Sequence, residues 1–469
     1  GAYVAPDWTA DGLHRELVFI LDKWSTEKYG AVYEEISEEQ QLGLKLQLKK
    51  EIRTNTYDKS KDEIIVSAIR AEAMKNVSEH YNKVFGDDPS LATYREQIAL
   101  PANSIESLED RRKIAAFFFW ATWSTSTNRE GMDVTYTNNW PGEELIDNEP
   151  SHTLLIWSIL SVILLLAGVG GMVWYYAALR GKENHEDEGI APEKDPLLNI
   201  KSTPSMRATL KYFWVVAALI VVQVGLGIVT AHYAVEGSSF YGIPIAEWFP
   251  YAVTRTWHQQ LGIFWIATAW LATGLYIGPA ISGYEPKFQR FGVNFLFVCL
   301  LIIVVGSMTG EWLAVKGYIG SLSHNFYFGH QGYEYIDLGR VWQIFLAVGL
   351  FLWFILIARA IWPAIKKKSE DRHMLGLFLI ASVAIPIFYM PGLMWGQNTH
   401  MSIVSYWQWW VVHLWVEGFF EVFAAVVISF LFSRMGLIRT STATSTVLFS
   451  TVIYLAGGII GTFHHLYFA

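Results

Sequence analysis

The sequence predicts an all-α protein in which a polytopic bundle of transmembrane helices follows a soluble, mainly helical domain. Of 469 residues, 52% are hydrophobic and 15% aromatic, only 17% are charged, and the charges gather in separated blocks. That is a membrane composition. From residue 152 onward eight apolar runs follow one another, near 152–179, 211–235, 252–279, 289–311, 340–363, 374–395, 407–434 and 445–469. Each is long enough to cross a hydrocarbon layer of roughly 30 Å. Ahead of them, residues 1–150 hold amphipathic stretches such as DGLHRELVFILDKW and DEIIVSAIRAEAMKNVSEHYNKVF, separated by loops containing Asp, Asn, Gly and Pro. Such a pattern predicts helices that bury one face.

The expected organisation is a soluble domain over 1–150, a first membrane helix over 151–180, a polar linker over 181–210 and seven further helices over 211–469. In the soluble domain Asn103 followed by Glu106 predicts a capping box that opens a helix running into IAAFFFWATW. The chain starts at GAYVAPDW without Met, signal peptide or leading apolar helix, and it ends at Ala469 directly after a histidine pair. It is therefore expected to be a fragment with more sequence on both sides.

Lys and Arg set the orientation. The connections at 180–211, 280–290, 364–373 and 434–444 hold fourteen of them, from Arg180 to Arg439. The alternate connections are nearly bare: 236–251 and 396–406 have none, and 312–339 has only Lys316. By the positive-inside rule the basic set faces the cytoplasm of a bacterial inner membrane, which places the 1–150 domain outside.

Composition also excludes chemistry. The single cysteine, Cys299, rules out an intramolecular disulfide, a Cys-x-x-Cys-His haem attachment and a thiolate zinc site. Any metal must then rely on His, Asp and Glu. The net charge is −8, with the acidic excess in the first 150 residues, and no basic, aromatic-interleaved patch suits a phosphate backbone. Nucleic acid is not an expected partner.

The helices carry histidines at one depth. His258 and His413 each lie a few residues inside the outer end of an inward-running helix, and His464 and His465 end an outward-running one. Taken singly, His258 fits a hydrogen bond to a neighbouring helix as well as it fits a metal. The adjacent pair is harder to explain that way, because neighbouring side chains on a helix diverge by about 100°. In VVHLWVEGFFEVF, Glu417 and Glu421 follow His413 at i+4 and i+8, which predicts one shared helix face. A carboxylate at membrane depth costs roughly 2.5–3.5 kcal/mol, so a cation or a proton pathway explains it better than a solvated role. Imidazoles with a carboxylate and no thiolate suit iron, although spacing alone does not fix the metal.

With these residues in view, the sequence resembles the haem–copper oxidase superfamily. There one helix donates a His to the non-haem metal and the next donates a His-His pair, which TFHHLYF resembles. Terminal oxidases carry His-Pro-Glu-Val-Tyr on the first of these helices. This chain has His-Leu-Trp-Val-Glu, the pattern of the nitric oxide reductases. The resemblance implies that His413, Glu417, His464 and His465 bind the non-haem iron FeB and that Glu421 assists proton delivery. TRTWHQQLGIFW resembles the helix that donates an axial ligand to a low-spin haem b, implying that role for His258. GYEYIDLGR resembles an outer loop whose acid, Glu334, lies near the haem propionates and helps hold a calcium ion. An ordinary solvated loop acid is the other reading of Glu334.

Electron input separates the branches. The resemblance implies that residues 1–150 are a cytochrome c-like domain, and without cysteine it lacks haem c, which favours the quinol-dependent reductases. In TAHYAVEGSSF, His232 and Glu236 stand at i, i+4 where that branch has its quinol pocket, and could accept the two protons a quinol releases. A hydrogen-bonded helix end is the plain alternative. The implied activity is reduction of two NO to N2O and water at a centre of high-spin haem b and FeB. The implied partners are quinol, nitric oxide, membrane lipid and a second copy in a homodimer. The competing functions are nitric oxide dismutation, oxygen reduction by a terminal oxidase, and transport. GVGG at 168–171 lies mid-membrane with no strand before it, so close helix packing is expected there rather than a dinucleotide site.

Overall fold

The computed structural model describes residues 7–149, 152–180, 192–238, 242–331, 338–367 and 372–461. It divides into two compact units, Tyr3–Glu186 with Tyr233–Pro244, and Asp187–His232 with Ile245–Ala469.

The first unit contains α1 (Trp8–Tyr29), α2 (Glu38–Arg53), a two-stranded hairpin of β1 (Tyr57–Asp58) and β2 (Glu63–Ile64), α3 (Ala68–Val84), α4 (Ala92–Gln97), α5 (Leu108–Ser126) and α6 (His152–Arg180). Helix starts follow local chemistry. Asp7 accepts from the amides of Thr9 and Ala10 at the head of α1, and Ser37 and Gln40 form a reciprocal capping box on α2. The box expected at Asn103 and Glu106 does not form. Asn103 is in the left-handed region at φ 51° and accepts from Arg111 Nη2, and Ser107 caps α5 by accepting from Asp110 N. Asn tolerates that backbone region, so it serves the loop better than the helix end.

Spacing of apolar residues at i, i+4, i+7 and i+8 makes the domain core. Leu13, Leu17, Ile20 and Leu21 of α1 meet Leu44, Leu48 and Ile52 of α2 with Ala73 of α3. A second cluster gathers Tyr81, Val84, Phe85, Ala115 and Phe118, with Trp8 stacked on Phe118 at 5.6 Å between ring centroids. Between α1 and α3, Arg70 Nε donates to Glu16 Oε1 at 2.7 Å, and both side chains are 2% exposed. Arg70 Nη2 and Glu16 Oε2 have no partner. The loops over 127–149 are tied down by the Arg53 guanidinium, which donates to Asn128 Oδ1, Asn139 Oδ1, Asn148 Oδ1 and the Asp147 carbonyl at 3.0–3.2 Å.

α6 buries none of its apolar window. Among the described residues of its own unit, a Cβ added to Gly168, Gly170 or Gly171 would meet nothing within 4 Å, so that unit does not supply the close packing expected of GVGG. A helix whose backbone bonds are all internal can stand in hydrocarbon.

The second unit continues with α7 (Pro204–Ala208), α8 (Leu210–Glu236, in this unit to His232), α9 (Ile245–Trp248), α10 (Tyr251–Ser282), α11 (Gln289–Val315), α12 (Leu322–Phe328), α13 (Arg340–Lys366), α14 (Arg372–Tyr389), α15 (Met401–Leu414), α16 (Glu421–Arg434) and α17 (Thr440–Gly461). All eight expected runs are helical. Six spans among the described residues are long and apolar enough to cross a membrane; the seventh run is divided and the eighth is described to Gly461. α10 and α13 lie parallel and close. Trp353 Nε1 donates to the Leu271 carbonyl, and Gly274 and Gly278 admit Ile357 and Ala360, where a Cβ would lie 2.6 Å and 3.1 Å from them. Small residues one turn apart let two backbones approach in the absence of a hydrophobic driving force.

The buried pair between α1 and α3 yields a test. Arg70→Met leaves a carboxylate buried without its cation and is expected to destabilise the domain by about 3–5 kcal/mol. Adding Glu16→Leu removes both charges and is expected to restore stability, read by hydrogen exchange of α1 and α3 in the full chain.

Candidate metal centre

Helix α10 presents His258 on its second turn, facing α8. His258 Nδ1 lies 2.8 Å from the backbone oxygen of Gln223. A carbonyl only accepts, so Nδ1 carries the proton and the neutral ring keeps its lone pair on Nε2. A helical carbonyl has a second lone pair to offer once its own turn is closed, so α8 loses nothing by this bond. Metal-ligating histidines are held in this manner, the far N–H spent on a carbonyl so that tautomer and ring plane are fixed.

The space for the ring comes from Gly227, one turn beyond Gln223 on α8. A Cβ there would lie 2.8 Å from Cε1 and 3.0 Å from Nδ1 of His258. Gln223 is itself clamped: Trp265 Nε1 donates to its Oε1 at 2.6 Å, and Gly262 leaves room for its amide nitrogen, which a Cβ would approach to 2.9 Å. Gln223, Gly227 and Trp265 were not legible as site residues. In sequence they are ordinary members of apolar runs, and only the pairing of α8 with α10 gives them a task.

His413 sits in the last turn of α15 and is 6% exposed. Directly after it the helix widens into a π-helical stretch, Trp415–Phe420, before α16 resumes at Glu421. Such turns concentrate at functional sites, since they aim side chains that regular helix would not. The turn is anchored by Trp415 Nε1, which donates to the Ile385 carbonyl at 3.0 Å, and by Phe419 stacked on Phe388 at 4.6 Å. Glu421 is exposed at the head of α16. The Glu417 side chain, Glu334, His464 and His465 lie outside the described residues. α8 carries His232, half-buried, and Glu236, exposed, one turn apart at its end. Among the described residues no three His, Cys, Asp or Glu side chains form a metal-holding group.

Two buried charges escaped the sequence reading. Glu311 on α11 is 4% exposed. Arg340, at the head of α13, is 7% exposed, lies over the rings of Phe326 and Trp395 at 5.2 Å, and donates to the Trp395 carbonyl. Both stand at the ends of apolar runs, where a charge reads as a boundary marker. Packing of the connecting segments over those ends is what buries them.

Residues 207–469, more than half the chain, match the family described as cytochrome c and quinol oxidase polypeptide I. The chain belongs to that family. Residues 1–142 match the cytochrome c-like domain of the nitric oxide reductase B subunit. The B subunit of the nitric oxide reductase of Stutzerimonas stutzeri is 23% identical over 256 residues, covering 55% of this chain and 51% of its own length. The chain thus spans about half the length of that curated relative.

The close approach at Gly227 is testable by itself. Gly227→Ala is expected to destabilise the bundle by about 1–3 kcal/mol through overpacking against His258. Gly225→Ala, two residues earlier, meets nothing within 4 Å and is expected to be neutral or slightly stabilising. Equal thermal unfolding midpoints for the two variants would refute the packing.

Proposed function

We propose that this chain belongs to a quinol-dependent nitric oxide reductase of a bacterial inner membrane, with residues 1–150 outside. The reaction is 2 NO + 2 electrons + 2 protons giving N2O + H2O. The observation that carries the choice of electron donor is a cytochrome c-like domain, matched over 1–142, with no cysteine to attach a haem and an interior filled by Trp8, Tyr81, Phe85 and Phe118. A domain in that state cannot pass electrons from cytochrome c by a haem of its own, so the electrons enter the bundle from a membrane quinol.

His258 is the proposed axial ligand of a low-spin haem b, and the fit rests on its geometry: Nδ1–H is spent on Gln223, Nε2 is left with its lone pair, and Gly227 clears the ring. His413, Glu417, His464 and His465 would hold FeB, a donor set of imidazoles and a carboxylate that suits iron. When bound, the non-haem iron and a high-spin haem b would supply Lewis-acid chemistry and the electrons for N–N bond formation. Glu421 is the proposed group that assists proton delivery to this centre. His232 and Glu236 would accept the protons that quinol gives up, and Glu334 would serve the haem propionates and a calcium ion.

Haem and metal analysis of the full-length protein, with NO consumption under a reduced quinol analogue, tests the reading. Haem b and non-haem iron without copper, and N2O formed on quinol addition, are the expected outcome. Copper with oxygen uptake would make it a terminal oxidase, and oxygen release from NO would make it a dismutase. His258→Ala is expected to remove the low-spin haem spectrum while non-haem iron stays, and His413→Ala to remove the iron while the low-spin spectrum stays.

A further inference from the structure

At the end of the bundle opposite the basic connections, where α10 begins and α11 ends, the second unit carries an open surface pocket of about 590 Å³. Volumes of this order hold small ligands. Its wall is aromatic, with Trp248, Trp257, Trp312 and Tyr318 lining it, and it carries one charge of each sign, Glu247 and Lys316. Trp312 Nε1 donates to the Trp248 carbonyl at 2.8 Å and Lys316 Nζ to the Glu247 carbonyl at 2.5 Å, which pins the short α9 against the end of α11. The Lys316 bond goes to the main chain, so the ammonium is not neutralised by the Glu247 carboxylate, and two of its protons remain to donate. Among the described residues Trp257 Nε1 is buried without a hydrogen-bond partner. A buried indole N–H ordinarily finds one, and this one belongs to a pocket-lining ring.

These features specify a ligand of defined chemistry. Trp and Tyr rings at the ends of membrane helices sit at head-group level. Ring faces attract an alkylammonium, and Glu247 can accept its N–H bonds. Lys316, the sole base in the connections 236–251, 312–339 and 396–406, and the free Trp257 N–H together suit a phosphate. We propose that the pocket binds the head group of a zwitterionic phospholipid bearing a primary amine, a phosphatidylethanolamine, with the ammonium toward Glu247 and the rings and the phosphate toward Lys316 and Trp257. An anionic lipid brings no cation for Glu247, and a choline lipid brings a cation without N–H donors. The site is independent of the quinol and iron chemistry proposed above.

The test is native mass spectrometry of the full-length protein, delipidated and then exposed in turn to dioleoyl phosphatidylethanolamine, phosphatidylglycerol and phosphatidylcholine. The ethanolamine lipid is expected to be retained about tenfold over the other two, the difference one charge-assisted hydrogen bond makes. Glu247→Gln is expected to abolish that preference and Lys316→Gln to lower retention of all three, with helical content unchanged by circular dichroism. Equal retention of the three lipids by the unaltered protein, or a preference for phosphatidylglycerol, overturns the proposal without recourse to any variant.

Discussion

Within hydrocarbon every backbone N–H and C=O must find its partner inside the chain, and most of what the second unit does follows from that constraint. It forces helices at all eight apolar runs, and it means that a side chain needing an acceptor cannot take it from a loose loop. His258 takes the one acceptor a closed helix still offers, the second lone pair of a carbonyl that is already bonded in its own turn. The same constraint makes Gly227 and Gly262 necessary, because α8 and α10 must come close enough for side chain to reach backbone.

The candidate iron site obeys the constraint differently. A π turn at Trp415–Phe420 keeps the backbone bonded just after His413. Aromatic contacts around it, from Phe388 to Phe419 and from Trp270 to Phe420 and Phe423, fill the space that the widened turn opens. Rings suit that place because they fill volume without adding polar groups that would each need a partner.

Ahead of α6 the balance changes. The first unit is built from short capped helices whose cores are ordinary apolar clusters, and its specific features are polar: the Arg70–Glu16 pair and the Arg53 hub that holds the 127–149 loops. The residues that fix it are those that secure α1 to α3.

By itself the sequence determined the helical class, the place of each membrane run and the alternation of basic and bare connections, since period, length and composition are local properties. It also pointed to His258, His413 and the acids after it, because ionisable residues in apolar runs are conspicuous. The capping box at Asn103 was misread, as local spacing does not reveal a left-handed loop residue. Only the tertiary structure decided that Gln223, Gly227 and Trp265 serve His258, that Glu311 and Arg340 are buried, and that Trp257 and Lys316 line one pocket. Those assignments depend on which helix stands beside which, and the energy that selects neighbours comes from contacts between residues far apart in the chain.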